Sequence, residues 1–470
     1  MNLSEPRVVK PGSAAEVART IIDARKDHEP VFVMSSGKKH RHWRGPAGGD
    51  GLVVDMSAMA RVVRLDRRNR AALVEPGVTF GTFSRALEGK GLRANTPLAP
   101  RASKSVLASA LEREPVIMPR YHWDMVDPLM SIEVVLGTGD LFRAGSGAGP
   151  GSLQEQWASG QAQKSPMGPS QFDPVRLVQG SQGTMGVVTW ASIRVEQAPA
   201  RTDYLLSGSE DLATLCSLVQ RLSWRRLGEE CLILNSGALG SLLETDPANA
   251  AALANSLPPW VLLLGLAGFA WRPDERVAYQ RAEAVEIARA LGLSAAPSLG
   301  GLSADRVGRA AGATSAEPYW KDRALGDSDE VFFLATLDRA APLISVARDK
   351  AAEAGYPSEQ AGAYVQPLVG GRAAHVEVMF PHEPGKAPLN GTSRSLSRAL
   401  LDAGAFFSRP YGDWADLVWE RDPRMKRAVE KIKGIFDPDG IMSPGNLGIP
   451  FHEYGEAPRT TGRRSRKARD

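Results

Sequence analysis

The sequence predicts a mixed α+β protein with more than one large folding unit, on three observations. The chain has 470 residues, too many for one ordinary hydrophobic core. Its first two hundred residues alternate short apolar runs with turns and single helices, without the regular strand–helix–strand repeat of a Rossmann unit. Between about residue 200 and residue 420 the character changes to longer helical stretches, Asp211 to Arg226 and Arg276 to Leu291, mixed with strands such as Trp260 to Leu264 and Val331 to Ala335.

Composition narrows the class of protein. Hydrophobic residues make up 43% and charged residues 23%, which suits a globular domain rather than a disordered or membrane chain. No run approaches the roughly 20 apolar residues that span a bilayer, and the start MNLSEPRVVKPG lacks the order of a signal peptide, so the expected location is cytoplasmic. Cys216 and Cys231 stand alone, outside any CxxC pair, and read as buried thiols rather than as a disulfide or metal site. Much of the net charge of +4 sits in the end TTGRRSRKARD. The rest is nearly balanced and calls for neither nucleic acid nor a membrane surface.

The first helix has a readable start. Ser13 followed by Glu16 is a capping-box pattern, and Val17, Ile21 and Ile22 supply an apolar stripe. Pro30 to Met34 reads as a short buried strand. After it come Ser35, Ser36 and Gly37, then Lys38, Lys39, His40, Arg41, His42 and Trp43. Small residues let a backbone approach a phosphate closely while nearby cations offset its charge; a solvated basic turn fits these residues as well. Strands are predicted at Leu52 to Met56, Val62 to Leu65 and Ala71 to Val74, and Thr79 caps a helix through Phe83 and Leu87. The glycine cluster from Gly145 to Gly151 does not space its glycines as GxGxxG, and Pro150 is poor for close helix packing, so it reads as a loop.

Five segments, in order, carry a resemblance: DMSAMARVVRLDRRNRAALVEPGVTF, SVLASALERE, IEVVLGTGDLFRAG, GSQGTMGVVT and IFDPDGIMSPGNLGI. Together they resemble the signatures of the vanillyl-alcohol oxidase and 4-cresol dehydrogenase family of flavoproteins. The Ser-Val-Leu start with its Leu-Glu-Arg, and the ending Ser443 to Ile449, are closest to the phenol-oxidising branch. The resemblance implies an FAD-binding domain of two α+β subdomains of the PCMH type, with an inserted α/β cap domain that covers the flavin and contributes to the substrate site. The corresponding boundaries are 1–200 for the FAD-binding domain, 201–419 for the cap, 420–455 for the return to the first domain and 456–470 for a basic disordered tail.

The same resemblance implies which residues meet FAD. These are Ser35, Ser36, Gly37, Lys38, Lys39 and His40 after the first strand; Pro100, Ser105, Val106 and Ala108; Gln182, Gly183, Thr184, Gly186, Val187 and Val188; and Asn446. Arg409 falls where the family places an arginine that stabilises a substrate anion, and Ser408 stands where that branch has tyrosine, leaving Tyr411 to supply a hydroxyl. His42 sits where the branch often has another tyrosine.

Strand alternation from Ala374 to Phe380 puts His375 and Glu377 on one face. His375 is there either a base near the substrate or part of a polar outer face. His375 and His382 have the spacing of a metal pair in related hydroxy-acid dehydrogenases, without the residues that surround it, so no metal is assigned. Pro100 to Lys104 carries Arg101 and Lys104 where the branch holds an acid, which predicts cations that favour a reduced, anionic flavin or an acidic substrate.

The implied activity is removal of a hydride from a small aromatic, phenolic or otherwise anionic molecule. A 2-hydroxy-acid dehydrogenase and the flavin subunit of an electron-transfer complex are the alternatives. The implied partners are a small-molecule substrate, with an electron-acceptor protein and a homodimer left open.

Overall fold

The computed structural model describes residues 6–38, 41–46, 49–121, 127–160, 173–386, 389 and 392–450. The predicted tail, and Lys39 and His40, lie outside the described residues. Three large sheets organise the described residues, beside a two-stranded one of Ser298–Leu299 and Leu302–Ser303.

The first is a parallel sheet of three strands, in the order Arg7–Val9, Leu52–Asp55 and Val31–Met34. Helix Ala14–Lys26 covers it. The Ser13 side chain accepts from the Glu16 N–H, and Glu16 Oε2 accepts from the Gly12 N–H at 2.9 Å, so free N–H groups at the helix start are satisfied. Val17 and Ile21 are buried with Val31, Leu52 and Val54. Ile22, expected on the same stripe, faces outward at 40% exposure, because it lies about 100° around the helix from Ile21.

The chain comes back to this sheet at its far end. Ile441 O accepts from Val31 N at 2.8 Å, and Ser443 N donates to Val31 O at 2.7 Å. Lys433 is buried there and donates to the carbonyls of Thr184 and Met442 at 2.8 and 3.0 Å. It also pairs with Asp437.

The second sheet is antiparallel, ordered Val62–Asp66, Ala71–Val74, Gly186–Gln197, Leu129–Leu136 and Leu141–Ala144, with Leu92–Ala94 added to the long strand. Helices Phe80–Leu87 and Val106–Leu111 bury Phe80, Phe83, Leu87, Val106 and Leu107 on one side of it. Thr79 and Ser105 cap them. The cluster from Gly145 begins as a short 3-10 turn, Gly145–Ala148, and holds no nucleotide-binding helix.

The third sheet has six antiparallel strands, ordered Arg201–Ser209, Trp260–Gly268, Glu230–Asn235, Gly362–Leu368, Ala373–His382 and Asp327–Ala335. Helices Leu212–Trp224, Pro273–Arg289, Leu337–Glu353 and Ser393–Asp402 bury their apolar faces against it, together with both cysteines. On its other side Leu98, Ala99 and Ile117 of the N-terminal half pack with Leu234, Leu263 and Trp320. Phe406 makes a pair of backbone hydrogen bonds with Leu334 at 2.8 and 3.0 Å. The segment that follows therefore runs along the outer strand and delivers residues 407–411 to the edge of the N-terminal half.

Candidate active site

Of two adjoining cavities, the first lies between the third sheet and the N-terminal half, and the second lies within the N-terminal half, closed by Arg409, Tyr411 and the returning residues Ser443 and Asn446. They enclose about 1150 and 950 Å³ of atom-free space, counted to their solvent mouths. Val33, Ser35, His42, Trp43, Ala108, Glu112, Arg409 and Tyr411 belong to both, so these cavities form one cleft with a shared waist.

Around the second cavity the wall from the N-terminal half is largely backbone, small residues and apolar side chains, while Arg41, Arg101, Lys104, Glu112 and Glu114 of the same half line the first. The turn after strand Val31–Met34 is fixed by Gly37 at φ +73°, with Trp43 Nε1 donating to Val33 O at 2.8 Å. Ser105 caps its helix through Ala108 N at 3.0 Å. The loop before strand Gly186–Gln197 has Gln182 at φ +54° and Gly183 at φ +79°. A Cβ on Gly183 would lie 2.8 Å from Ser443 Oγ, so the loop approaches the returning C-terminal segment as only glycine allows. Asn446 Nδ2 donates to Gln182 O at 2.8 Å, and Gln182 Nε2 donates to Pro410 O at 2.7 Å.

Most of the residues expected to meet FAD stand on these walls. Ser36, Lys38, Pro100 and Ser105 line the first cavity; Gln182, Gly183, Gly186, Val188 and Asn446 line the second; Ser35 and Ala108 line both. Three others face elsewhere. Val187 is in the core under the parallel sheet, Val106 is in the core of the antiparallel sheet, and Thr184 is fully buried with its hydroxyl donating to Ser181 O at 2.8 Å. Strand alternation explains the split: Val188 faces the cleft because Val187 faces the core. Gly37 sits on the turn without lining either cavity; a Cβ added to it would lie 3.3 Å from Ser57 Cβ. The donor set fits FAD: glycine and serine backbone at the loops for a pyrophosphate, and Met56, Leu107, Leu111 and Val188 as an apolar floor for rings.

The opposite wall is charged. Lys321 Nζ sits 2.9 Å from Glu330 Oε2 and also pairs with Glu377. Glu330 Oε1 is 2.8 Å from His42 Nε2, and Arg41 lies beside Glu330 while pairing with Asp322. Tyr364 donates its hydroxyl to Glu377 Oε2 at 2.7 Å and lies 3.2 Å from His375 Nε2. Burial works against ionisation of Glu330, but Lys321, the His42 hydrogen bond and Arg41 outweigh it and hold the carboxyl well below its usual range. Burial likewise opposes the charge on Lys321, and Glu330 with Glu377 overcomes it and raises the ammonium well above the usual lysine value. Tyr364 is raised by burial and by Glu377.

His42 stacks on Tyr411, with ring centres 4.6 Å apart and an 11° angle between planes. Burial, followed by Glu112, raises the Tyr411 pKa, so its hydroxyl stays protonated. Arg409 places its guanidinium carbon 4.0 Å from the centre of the Phe332 ring. Among the described residues no carboxylate lies within ion-pair distance of it. Arg41, Arg101, Lys104 and Lys321 of the same walls all have acid partners.

Two expectations need correction. Arg101 and Lys104 are not uncompensated cations. Arg101 Nη2 is 2.7 Å from Asp322 Oδ2, and Lys104 Nζ lies 3.2 Å from Glu112 and 2.9 Å from Glu114. The following helix turns both glutamates back onto Lys104. The polar outer face offered for His375 is also wrong: His375 and Glu377 are 1% and 2% exposed and point inward. Burial lowers the His375 pKa, with Glu377 opposing. His375 does not itself line either cavity and reaches the cleft through Tyr364 and Glu377. His382 lies elsewhere, its Nε2 3.7 Å from Asp329 and its Nδ1 2.9 Å from Glu383 O. Among the described residues no three His, Cys, Asp or Glu side chains gather as metal ligands.

Sequence reasoning missed Lys321, Glu330, Tyr364, Tyr319 and Phe332. One signal was available: in Asp327–Ala335 the apolar run Val331–Leu334 follows acids, and period-two alternation puts Glu330 on the side of Phe332.

Comparisons with known proteins agree with this geometry. A family profile described as an FAD binding domain matches residues 6–145. The mitochondrial D-lactate dehydrogenase (cytochrome) of Arabidopsis thaliana is 29% identical over 193 residues, 41% of this chain. The match spans only 30% of that relative's own length. An uncharacterised FAD-linked oxidoreductase of Mycobacterium tuberculosis is 24% identical over 448 residues, 93% of this chain and 89% of the relative. The solved structure of 4-ethylphenol oxidase from Gulosibacter chungangensis superposes with a TM-score of 0.78 at 19% identity, covering 94% of this chain and 89% of that one. That likeness establishes the shared fold. Residues 6–145 are an FAD-binding domain of the PCMH type, and the chain is similar over most of its length to an FAD-linked oxidoreductase.

Proposed function

We propose that this protein is an FAD-dependent oxidoreductase that removes a hydride from a small anionic substrate, a phenolate in the leading reading, held between the cap and the flavin. The observation that carries this reading is Arg409. It is a half-buried guanidinium on the shared waist of the cleft, set over Phe332 and without a carboxylate partner among the described residues. Lys38 and Arg44, the other wall cations outside the ion-pair network, are exposed at the rim. An arginine left without an acid in a partly desolvated site is a receptor for an anion brought by the substrate.

Bound FAD supplies the hydride-accepting ring. The chain's own residues bind, orient and shield. Arg409 favours the phenolate over the phenol, and the ring of Phe332 limits water around the pair. Tyr411, kept protonated and stacked on His42, offers a second donor at the same end. Lys321, His42 and Arg41 hold Glu330 in charged form, which makes it a weak base near neutral pH, and Glu377 is taken up by Lys321 and Tyr364. A phenol bound beside Arg409 can release its O–H proton to solvent, because the guanidinium stabilises the phenolate, whereas an aliphatic alcohol has no such anion and needs a base. That favours phenols over 2-hydroxy acids.

The second reading keeps one specific support: the forked Arg409 side chain fits a carboxylate equally well, and the relative from Arabidopsis thaliana is a D-lactate dehydrogenase. Anaerobic mixing of the yellow protein with a 4-alkylphenol, and separately with D-lactate, tells them apart. Bleaching of the visible absorbance by the phenol alone is expected. Arg409→Ala should keep its flavin and slow that reduction about 100-fold, from the loss of a charge-assisted contact. Unchanged reduction in the variant removes Arg409 from the reaction, and bleaching only by D-lactate replaces the phenol reading.

A further inference from the structure

The cleft carries a second polar end that the reading above does not use. Lys321 and Tyr319 line the first cavity only, whereas Arg409 stands on the waist common to both. An ammonium has three N–H donors. Two of those on Lys321 are taken by Glu330 and Glu377, and no third acceptor lies within hydrogen-bond distance among the described residues. The hydroxyl of Tyr319 likewise has no hydrogen-bond partner among the described residues, while its ring is held under Arg101 at 4.3 Å. The two side chains belong to one short loop segment, with the Trp320 side chain between them in the core.

Two unspent donors on one wall of a cavity match the two lone pairs of a carbonyl or carboxylate oxygen. The carboxylates make the match more selective. Glu330 and Glu377 are engaged by Lys321, His42 and Tyr364, so neither offers a free donor to an oxygen acceptor. On this wall the donors left for an oxygen acceptor among the described residues are those of Lys321 and Tyr319.

Resting on the anion-at-Arg409 reading, we propose that the wall formed by Lys321 and Tyr319 is a second oxygen-binding subsite, so that the preferred substrates carry a carbonyl or carboxylate as well as the anionic group held by Arg409. Lys321 is then a substrate-binding residue. Its two carboxylate partners position the ammonium and hold it charged.

The test is ligand binding to the flavin-loaded protein, read from perturbation of the visible flavin spectrum under anaerobic conditions. Phenol and 4-methylphenol lack the second oxygen; 4-hydroxybenzaldehyde and 4-hydroxyphenylacetate carry it. In the wild type at least one of the second pair should bind about 10-fold or more tightly than the first, the yield of a hydrogen bond to a charged donor. Lys321→Met should abolish that advantage, and Lys321→Arg should restore part of it. Because Lys321→Met leaves two buried carboxylates facing each other, the double variant Lys321→Met with Glu377→Gln carries the same measurement with one of them neutralised.

A wild type that binds all four compounds equally overturns the subsite and leaves the phenol reading standing. An advantage that survives both lysine-to-methionine variants also overturns it. A wild type that responds to none of the four removes the phenol reading and the subsite together.

Discussion

The two walls of the cleft are built on opposite principles. Around the second cavity the FAD-binding side presents mainly backbone, glycine, serine and apolar side chains, placed by local turns and helix caps. The third-sheet side presents Asp322, Lys321, Glu330 and Glu377, and these acids draw Arg41 and Arg101 across from the N-terminal half. A cofactor shared by many enzymes needs close, nearly neutral approach; a particular substrate needs charge and hydrogen bonds in fixed places. Stability should therefore depend on single charges on the cap side and on single backbone conformations on the other.

The largest effect is expected at Glu330. Its buried carboxylate lies 2.9 Å from Lys321, 2.8 Å from His42 and 3.8 Å from Arg41. Glu330→Ala leaves a cation short of its partner in a buried place, which costs about 3 kcal/mol. The variant should unfold at lower denaturant concentration, read by circular dichroism, with its flavin still bound in the folded fraction. Glu330→Gln, which keeps the hydrogen-bond acceptor, should recover part of the loss. Equal stability of Glu330→Ala and wild type would show that the network is wet and weakly coupled.

A smaller effect, different in kind, is expected in the cradle. Gly183 has φ +79° and no room for a Cβ beside Ser443. Gly183→Val should cost about 2 kcal/mol in strain and act first on the loop, so the protein purifies folded but with a lowered ratio of flavin to protein absorbance. Full flavin content in the variant would mean that this loop does not shape the cofactor site. Together the two substitutions separate the walls: one lowers stability with flavin retained, the other lowers flavin with the fold retained.

The same contrast explains what could be read from the chain. The caps at Ser13 and Thr79, the glycine loop and the short strands are local, each set by residues within a few positions of one another. The family segments are local too, and their order pointed to the fold and the cofactor. The cap wall is not local. Glu330 and Glu377 come from strands adjacent in the sheet but distant in the chain, and Lys321 enters from an irregular stretch with no period to interpret.

Charged residues inside such stretches look like ordinary surface. Lys104 shows how this misleads even at short range. Its partners Glu112 and Glu114 lie eight and ten positions on, beyond helical neighbours, and only the turn after Val106–Leu111 brings them back. Arg409 was legible by position, but its lack of an acid partner was not, since that depends on where every acid went.

The smallest effect is also the most specific to the cap side. His375 is buried beside Tyr364 and Glu377, with Arg409 and Lys321 nearby, and burial holds its pKa below the ordinary histidine value. Between the lowered folded value and the unfolded value of about 6.5, the unfolded chain carries a proton that the folded protein refuses. Stability therefore falls as pH drops from about 6.5, with a slope of at most about 1.4 kcal/mol per pH unit for this one group. Glu330 is depressed below the normal glutamate range, so its contribution is present above about 4.5 and fades only at lower pH. The two windows are separate. His375→Gln keeps a polar side chain and removes the titration. The difference in unfolding free energy between this variant and the wild type should change between pH 6.5 and pH 5, in the variant's favour as pH falls, while raised carboxylates elsewhere such as Glu230 cancel in the comparison. A difference that stays constant across that range would mean that His375 is protonated in the folded protein, and the charge balance of the cap wall would have to be redrawn around a third cation.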